Sequence, residues 1–97
     1  MQQKDGSCYL CVLLEENYRQ QTNLEEHHVI NGNPGRRMSE KYGLKVYLCI
    51  RHHRTGKEAV HRNAENMRLL KAKGQQAFNK AYPELDWMSI FGKNYLE

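Results

Sequence analysis

The sequence has no long apolar run. No window approaches the roughly 20 apolar residues of a membrane span, and the start, Met1 to Ser7, lacks the apolar stretch of a signal peptide. These two absences give the expectation of a protein without a membrane role, resident in the cytoplasm. Cysteine is also scarce: three residues cannot all pair within one chain, which argues against a disulfide framework. In a reducing compartment, cysteines with histidines nearby are better explained by metal. There is no internal repeat and no low-complexity tract. Charge and apolar content, 27% and 39%, are too mixed for a disordered tail and too polar for a membrane protein.

At 97 residues the chain reads as one domain, and so small a domain buries a modest core that a metal often assists. Fifteen Lys and Arg against eleven Asp and Glu leave a net charge of +4. Glu15, Glu16, Glu25 and Glu26 fall in the first third, whereas the segment from Arg36 to Lys80 is basic. Such a balance favours contact with phosphates, although it is also common for solubility alone.

Residues 1–7 read as a frayed tail, followed by a tight Cys8 to Cys11 knuckle and a polar stretch, 12–23, with no assigned element. Alternation predicts a strand over Leu24–Ile30, closed by a dense loop signal over residues 31–35. A short segment from Ser39 to Tyr42 is terminated by Gly43, and Leu44–Leu48 alternates again as a second strand. From about Ala59 the apolar set Val60, Ala64, Met67, Leu70, Ala77, Phe78 and Ala81 keeps helical spacing, with Gly74 as a weak point. Pro83 interrupts it, and Leu85, Met88 and Phe91 supply the buried stripe of a last helix ending at Gly92. Trp87 and Tyr95 complete that core or form a homodimer contact.

Cys8-x2-Cys11 and Cys49-x2-His52 are two half-sites whose short spacing lets a tight turn offer both side chains to one ion. Zinc takes thiolate and imidazole in a closed tetrahedral shell, and three cysteines with one histidine are one of its structural sets. A structural zinc here ties the N-terminal knuckle to the end of the second strand and supplies folding energy. His27, His28, His53 and His61 are then left over. A lone histidine is usually a surface or satisfied core residue; an adjacent pair on a strand facing another at a helix start is not. Neighbouring strand residues point to opposite faces, so His27 and His28 serve one site only if the strand ends or bulges there.

Glu26-His-His-Val29, a loop, a second strand, Leu48-Cys-x2-His-His53 and a following helix resemble the HNH (His-Me finger) nucleases. That family's ββα-metal finger holds one catalytic divalent ion between a hairpin and a helix. The nearest resemblance is to the phage recombination-enhancement, RecA-dependent nuclease family, and it covers roughly residues 8–66, leaving 67–97 as a helical C-terminal extension. The resemblance implies an α+β, zinc-stabilised finger within one domain over 1–97, and an endonuclease hydrolysing DNA in a bacterial host cell. It makes His27 a metal ligand and His28 the general base, with His53 and His61 the later metal ligands. His53 and His61 stand eight residues apart, wider than the single helical turn of many family members, so both reaching one ion requires an intervening loop. The family's central asparagine has no counterpart: Asn31 and Asn33 lie too near the histidine pair, which leaves Ser39 as the polar residue to orient His28.

Phosphodiester hydrolysis requires an activated water, stabilisation of phosphoryl charge and acceptance of the leaving 3′ oxygen. His28 can take the proton from water. A divalent ion (Mg²⁺, Mn²⁺ or Zn²⁺) on His27, His61 and His53 can act as a Lewis acid, giving products with 5′ phosphate and 3′ hydroxyl. Arg36, Arg37, Arg51, Arg54 and Lys57 cluster in sequence around this site, and the arginine fork suits phosphate, although a solvated basic surface reads the same way. The partner implied is DNA, double- or single-stranded, with a recombinase filament as a further one. The rival reading is a zinc-stabilised nucleic-acid-binding accessory module without cleavage.

Overall fold

The computed structural model describes residues 1–32 and 34–96. Its first element, α1 (Tyr9–Glu15), begins where a bare knuckle is expected. Cys8 is the N-cap, its Sγ accepting from the Cys11 amide at 3.4 Å, the task usually given to a serine or aspartate oxygen. Leu10 and Cys11 are buried, and Glu16 ends the helix in a left-handed conformation. So short a helix has little stability of its own and forms because its inner face packs on the core.

Two antiparallel strands follow, β1 (Glu25–His28) and β2 (Lys45–Leu48), pairing Glu25 with Leu48 and His27 with Val46. Both fall inside the alternating segments of the sequence. The link between them carries α2 (Gly35–Lys41), longer than the turn expected around Ser39. The Ser39 hydroxyl is fully buried and clasps Ile30, accepting from its amide at 3.0 Å and donating to its carbonyl at 2.8 Å. Gly43, at φ +70°, turns the chain out of α2 as a glycine can.

After β2 the chain makes a π-helical turn over Arg51–Thr55, then α3 (Ala64–Ala81) and α4 (Trp87–Phe91). The expected helix start near Ala59 is corrected. Ala59 and Val60 are buried in the preceding turn, where the Val60 amide donates to the His52 carbonyl at 2.8 Å, and Asn63 caps the helix through the Asn66 amide. Gly74 does not interrupt α3; it lets the helix lie against Val29 at the exit of β1, since a Cβ there would stand 2.8 Å from Val29 Cγ1.

The stripe assigned to α4 is also corrected: Leu85 and Met88 are exposed at 39% and 47%, and Trp87 is the buried residue. Its ring stacks on Phe91 at a centroid distance of 4.1 Å and meets Phe78 edge-on, so aromatic packing on α3 sets the helix rotation. Residues 1–7 lie along β2, with the Met1 ammonium donating to the Gly43 carbonyl at 3.1 Å and the Gln2 side chain accepting from the Tyr47 amide at 2.8 Å. The class is α+β, a two-stranded sheet with helices around one core. Among the described residues no helix is long and apolar enough to cross a membrane.

Candidate metal centre

Cys8, Cys11, Cys49 and His52 converge from α1, the end of β2 and the π-helical turn, and can hold a metal ion. The Sγ atoms of Cys11 and Cys49 are 3.8 Å apart, and His52 Nδ1 lies 3.6, 3.4 and 3.5 Å from the sulfurs of Cys8, Cys11 and Cys49. A tetrahedral ion at about 2.3 Å from sulfur and 2.0 Å from nitrogen separates its ligand atoms by about 3.5–3.8 Å, so the set is compatible with structural zinc. Burial, with the sulfurs of Cys8 and Cys49 alongside, pushes the Cys11 thiol up to about 12. Thiolates there need a cation. The other ring nitrogen of His52 is buried with no hydrogen-bond partner among the described residues, and Glu15 Oε2 lies 3.3 Å away. The Arg51 guanidinium, 2.9 Å from Glu15 Oε1, holds that carboxyl below its usual range.

A second cluster lies one residue further along. His27, His53 and His61 bring three imidazoles together with ligand atoms within 4.8 Å of one another. The ring centroids are 5.3 Å apart for His27 with either partner and 4.9 Å for His53 with His61, whose Nε2 atoms are 3.2 Å apart. The eight-residue gap between His53 and His61 is closed by the π-helical turn and the turn through Val60. His27 is buried and its Nε2 has no hydrogen-bond partner among the described residues. Burial, helped by the charges of His53, His61, His28 and Lys71, pushes its pKa down to about 4, so the ring stays neutral with a free lone pair. His61 is lowered by burial and by His53.

Glu25 orders this cluster. Strand alternation puts it on the same face of β1 as His27. Its Oε1 is 2.7 Å from His53 Nδ1, and Arg54 grips the carboxylate with Nε at 3.0 Å and Nη2 at 2.6 Å. The His53 contact first, then Arg54, holds the Glu25 carboxyl below its usual range. With Nδ1 turned to Glu25, the His53 ring presents its Nε2 to His61.

His28 is placed differently. β1 does not bulge, so the same alternation sends His28 to the other face, where its Nε2 is 3.5 Å from Glu40 and 3.8 Å from Glu26, both bound by Lys45. It does not join the three-histidine set. Ser39 does not orient it either, since that hydroxyl is taken up by Ile30; Asn33 lies outside the described residues. Arg36 and Arg37 line a groove of about 650 Å³ together with His28, Glu40 and Lys41. Arg51 and Arg54 are engaged with Glu15 and Glu25, whereas Arg36, Arg37 and Lys57 form no ion pair among the described residues. Sequence reasoning missed Glu15, Glu25 and Glu40; only Glu25 carried a signal, its position two residues before His27.

No family model, no curated protein and no solved structure matches this chain.

Proposed function

We propose that the chain is a metal-dependent endonuclease of the HNH type that hydrolyses DNA phosphodiester bonds, with zinc holding the cysteine site. The observation that carries the reading is the three-histidine cluster: three imidazoles with ligand atoms within 4.8 Å of one another, one with an orphaned buried nitrogen, another backed by a carboxylate at 2.7 Å. An unpartnered buried nitrogen costs about 1–3 kcal/mol, and a divalent ion supplies the partner that the described residues do not. When bound, that ion provides Lewis-acid stabilisation of the phosphoryl and leaving oxygens.

The chain's own residues have separable tasks. His28, the last residue of β1, takes the proton from the attacking water where the strand ends beside His27, with Glu40 and Glu26 beside its ring to hold the imidazolium that forms. Arg36 and Arg37, in the groove leading to His28, hold the DNA backbone. Glu25 and Arg54 keep His53 facing the ion. Arg51, committed to Glu15, belongs to the cysteine site rather than to DNA.

A second reading, a zinc-stabilised DNA-binding accessory module without cleavage, is favoured by one observation: His28 Nε2 faces two carboxylates rather than the cluster. One experiment separates the two. Purified protein is incubated with plasmid and with single-stranded DNA in Mg²⁺ or Mn²⁺, beside His28→Ala, with metal content measured. Cleavage that disappears in His28→Ala supports the nuclease; DNA binding with no His28-dependent cleavage sinks it.

A further inference from the structure

We propose that a cleft between α3 and the segment following α4 seats a backbone phosphate of the nucleic-acid strand whose neighbouring phosphate lies at the three-histidine cluster. The inference rests on the nuclease reading of that cluster and adds a second anchoring point to it.

The cleft, about 330 Å³, is walled by one stripe of α3 (Ala64, Met67, Arg68 and Lys71, a helical turn apart) and by Lys93 and Tyr95 opposite. Lys71 Nζ and Lys93 Nζ each stand 5.5 Å from the centroid of the Tyr95 ring. Neither ammonium has a carboxylate within ion-pair distance among the described residues. Two like charges gathered at one ring repel, and an anion between them removes the repulsion.

The gathering is built into the core. Gln75, a buried amide on α3, donates to Asn94 Oδ1 at 2.9 Å and accepts from the Tyr95 amide at 2.7 Å. The buried Trp87 indole donates to the Lys93 carbonyl at 2.7 Å. Gly92, at φ +76°, turns the chain out of α4 toward these contacts. Burial and the charge of Lys93 lower the pKa of Lys71, as expected of an ammonium awaiting a counter-ion. Ala64, which lines one end of the cleft, follows His61 by three residues, which puts the cleft beside the metal cluster.

The ligand chemistry is a phosphodiester: two ammonium groups for the anionic oxygens and a wall of Tyr95, Met67 and Ala64 for the sugar. The test uses the metal-loaded chain and a labelled single-stranded oligonucleotide, with affinity read by fluorescence anisotropy over a series of salt concentrations. Lys71→Gln/Lys93→Gln is compared with a charge-matched control, Lys4→Gln/Lys80→Gln. The cleft variant should bind several-fold more weakly than the control, and its plot of log K against log salt should be shallower by about 0.7 for each phosphate it no longer neutralises. Equal affinity and equal slope in the two variants overturns the proposal, as does a cleft that binds an acidic peptide and not the oligonucleotide. If the double variant misfolds, the exposed Lys93→Gln alone carries the same comparison. Wild-type protein that binds through the cleft without cleaving sinks the nuclease reading alone. Wild-type cleavage with a cleft variant indistinguishable from the control sinks the cleft alone.

Discussion

The Nε2 atoms of His53 and His61 face one another at 3.2 Å, and the far side of the His53 ring is held by Glu25 at 2.7 Å. A carboxylate on Nδ1 fixes the proton there and leaves Nε2 as a lone pair. A carboxylate placed behind a ligating imidazole in this way raises its basicity and holds its ring orientation.

Glu25→Gln keeps the shape of the side chain but lets its amide donate to Nδ1, which favours the wrong tautomer. Metal affinity at the three-histidine site should fall by about 10–100-fold. Cobalt titration reads this directly. The weak visible bands of the histidine site should shift to higher metal concentration while the intense sulfur-to-cobalt charge-transfer band of the cysteine site keeps its midpoint. An unchanged midpoint for the histidine site would show that Glu25 has no ordering role.

Cys49→Ala and His28→Ala should part company. A structural zinc contributes about 10–16 kcal/mol of apparent binding free energy, as much as the whole stability of a small domain. Removal of a thiolate should therefore unfold or aggregate the protein and release about one equivalent of zinc. His28, half-buried on the outer face of β1, should be replaceable with the thermal midpoint and zinc content unchanged. A Cys49→Ala protein that melts like the parent with its zinc retained would refute the cysteine-site assignment.

Strand and loop positions were largely legible in the sequence, because alternation and glycine act locally. β2, at Lys45–Leu48, lies within the alternating segment that begins at Leu44, and Gly43 takes the left-handed turn its position suggests. The two metal half-sites were legible for the same reason, since Cys8-x2-Cys11 and Cys49-x2-His52 each lie within a single turn. What was not legible depends on tertiary neighbours. Nothing local says that Trp87 rather than Met88 turns inward; that follows from the ring of Phe78 waiting on α3. Nothing local pairs Glu15 with His52 beside the cysteine site. The opposed directions of His27 and His28 follow from alternation once no bulge intervenes, and the absence of a bulge is decided by the register with Val46 and Lys45.

Acid should destabilise the protein over a defined window. His27 has its folded-state pKa lowered to about 4 in the metal-free cluster, chiefly by burial. Above the ordinary histidine value of about 6.5 both folded and unfolded chains carry it neutral, and its full contribution is present. As pH falls from there towards 4 the unfolded chain takes up the proton and the folded one does not. Stability declines, on the order of 3 kcal/mol, until the folded ring itself titrates. Urea melts with the histidine site empty should show this decline between about pH 7 and pH 4. His27→Gln, which keeps the cysteine site and so its own acid sensitivity, should show a shallower dependence; an identical slope would remove His27 from the account.

Gly74→Ala tests how tightly α3 is set against the strand that carries the histidines. Alanine raises helix propensity by about 1 kcal/mol in an exposed helix, and an unconstrained site would become more stable. Here the new Cβ meets Val29 Cγ1 at 2.8 Å, and Val29 is a fully buried, β-branched side chain with little rotamer freedom. Relief requires α3 or the end of β1 to move, at a cost of about 1–3 kcal/mol for overpacking, so the balance should be a lower melting temperature. Val29 directly follows His28, and a shift there should also loosen cobalt at the three-histidine site. Val29→Ala in the same chain opens the space, so the double variant should be destabilised by less than the sum of the two single effects. A Gly74→Ala protein more stable than the parent, with unchanged cobalt affinity, would mean that α3 does not press on β1 at this point.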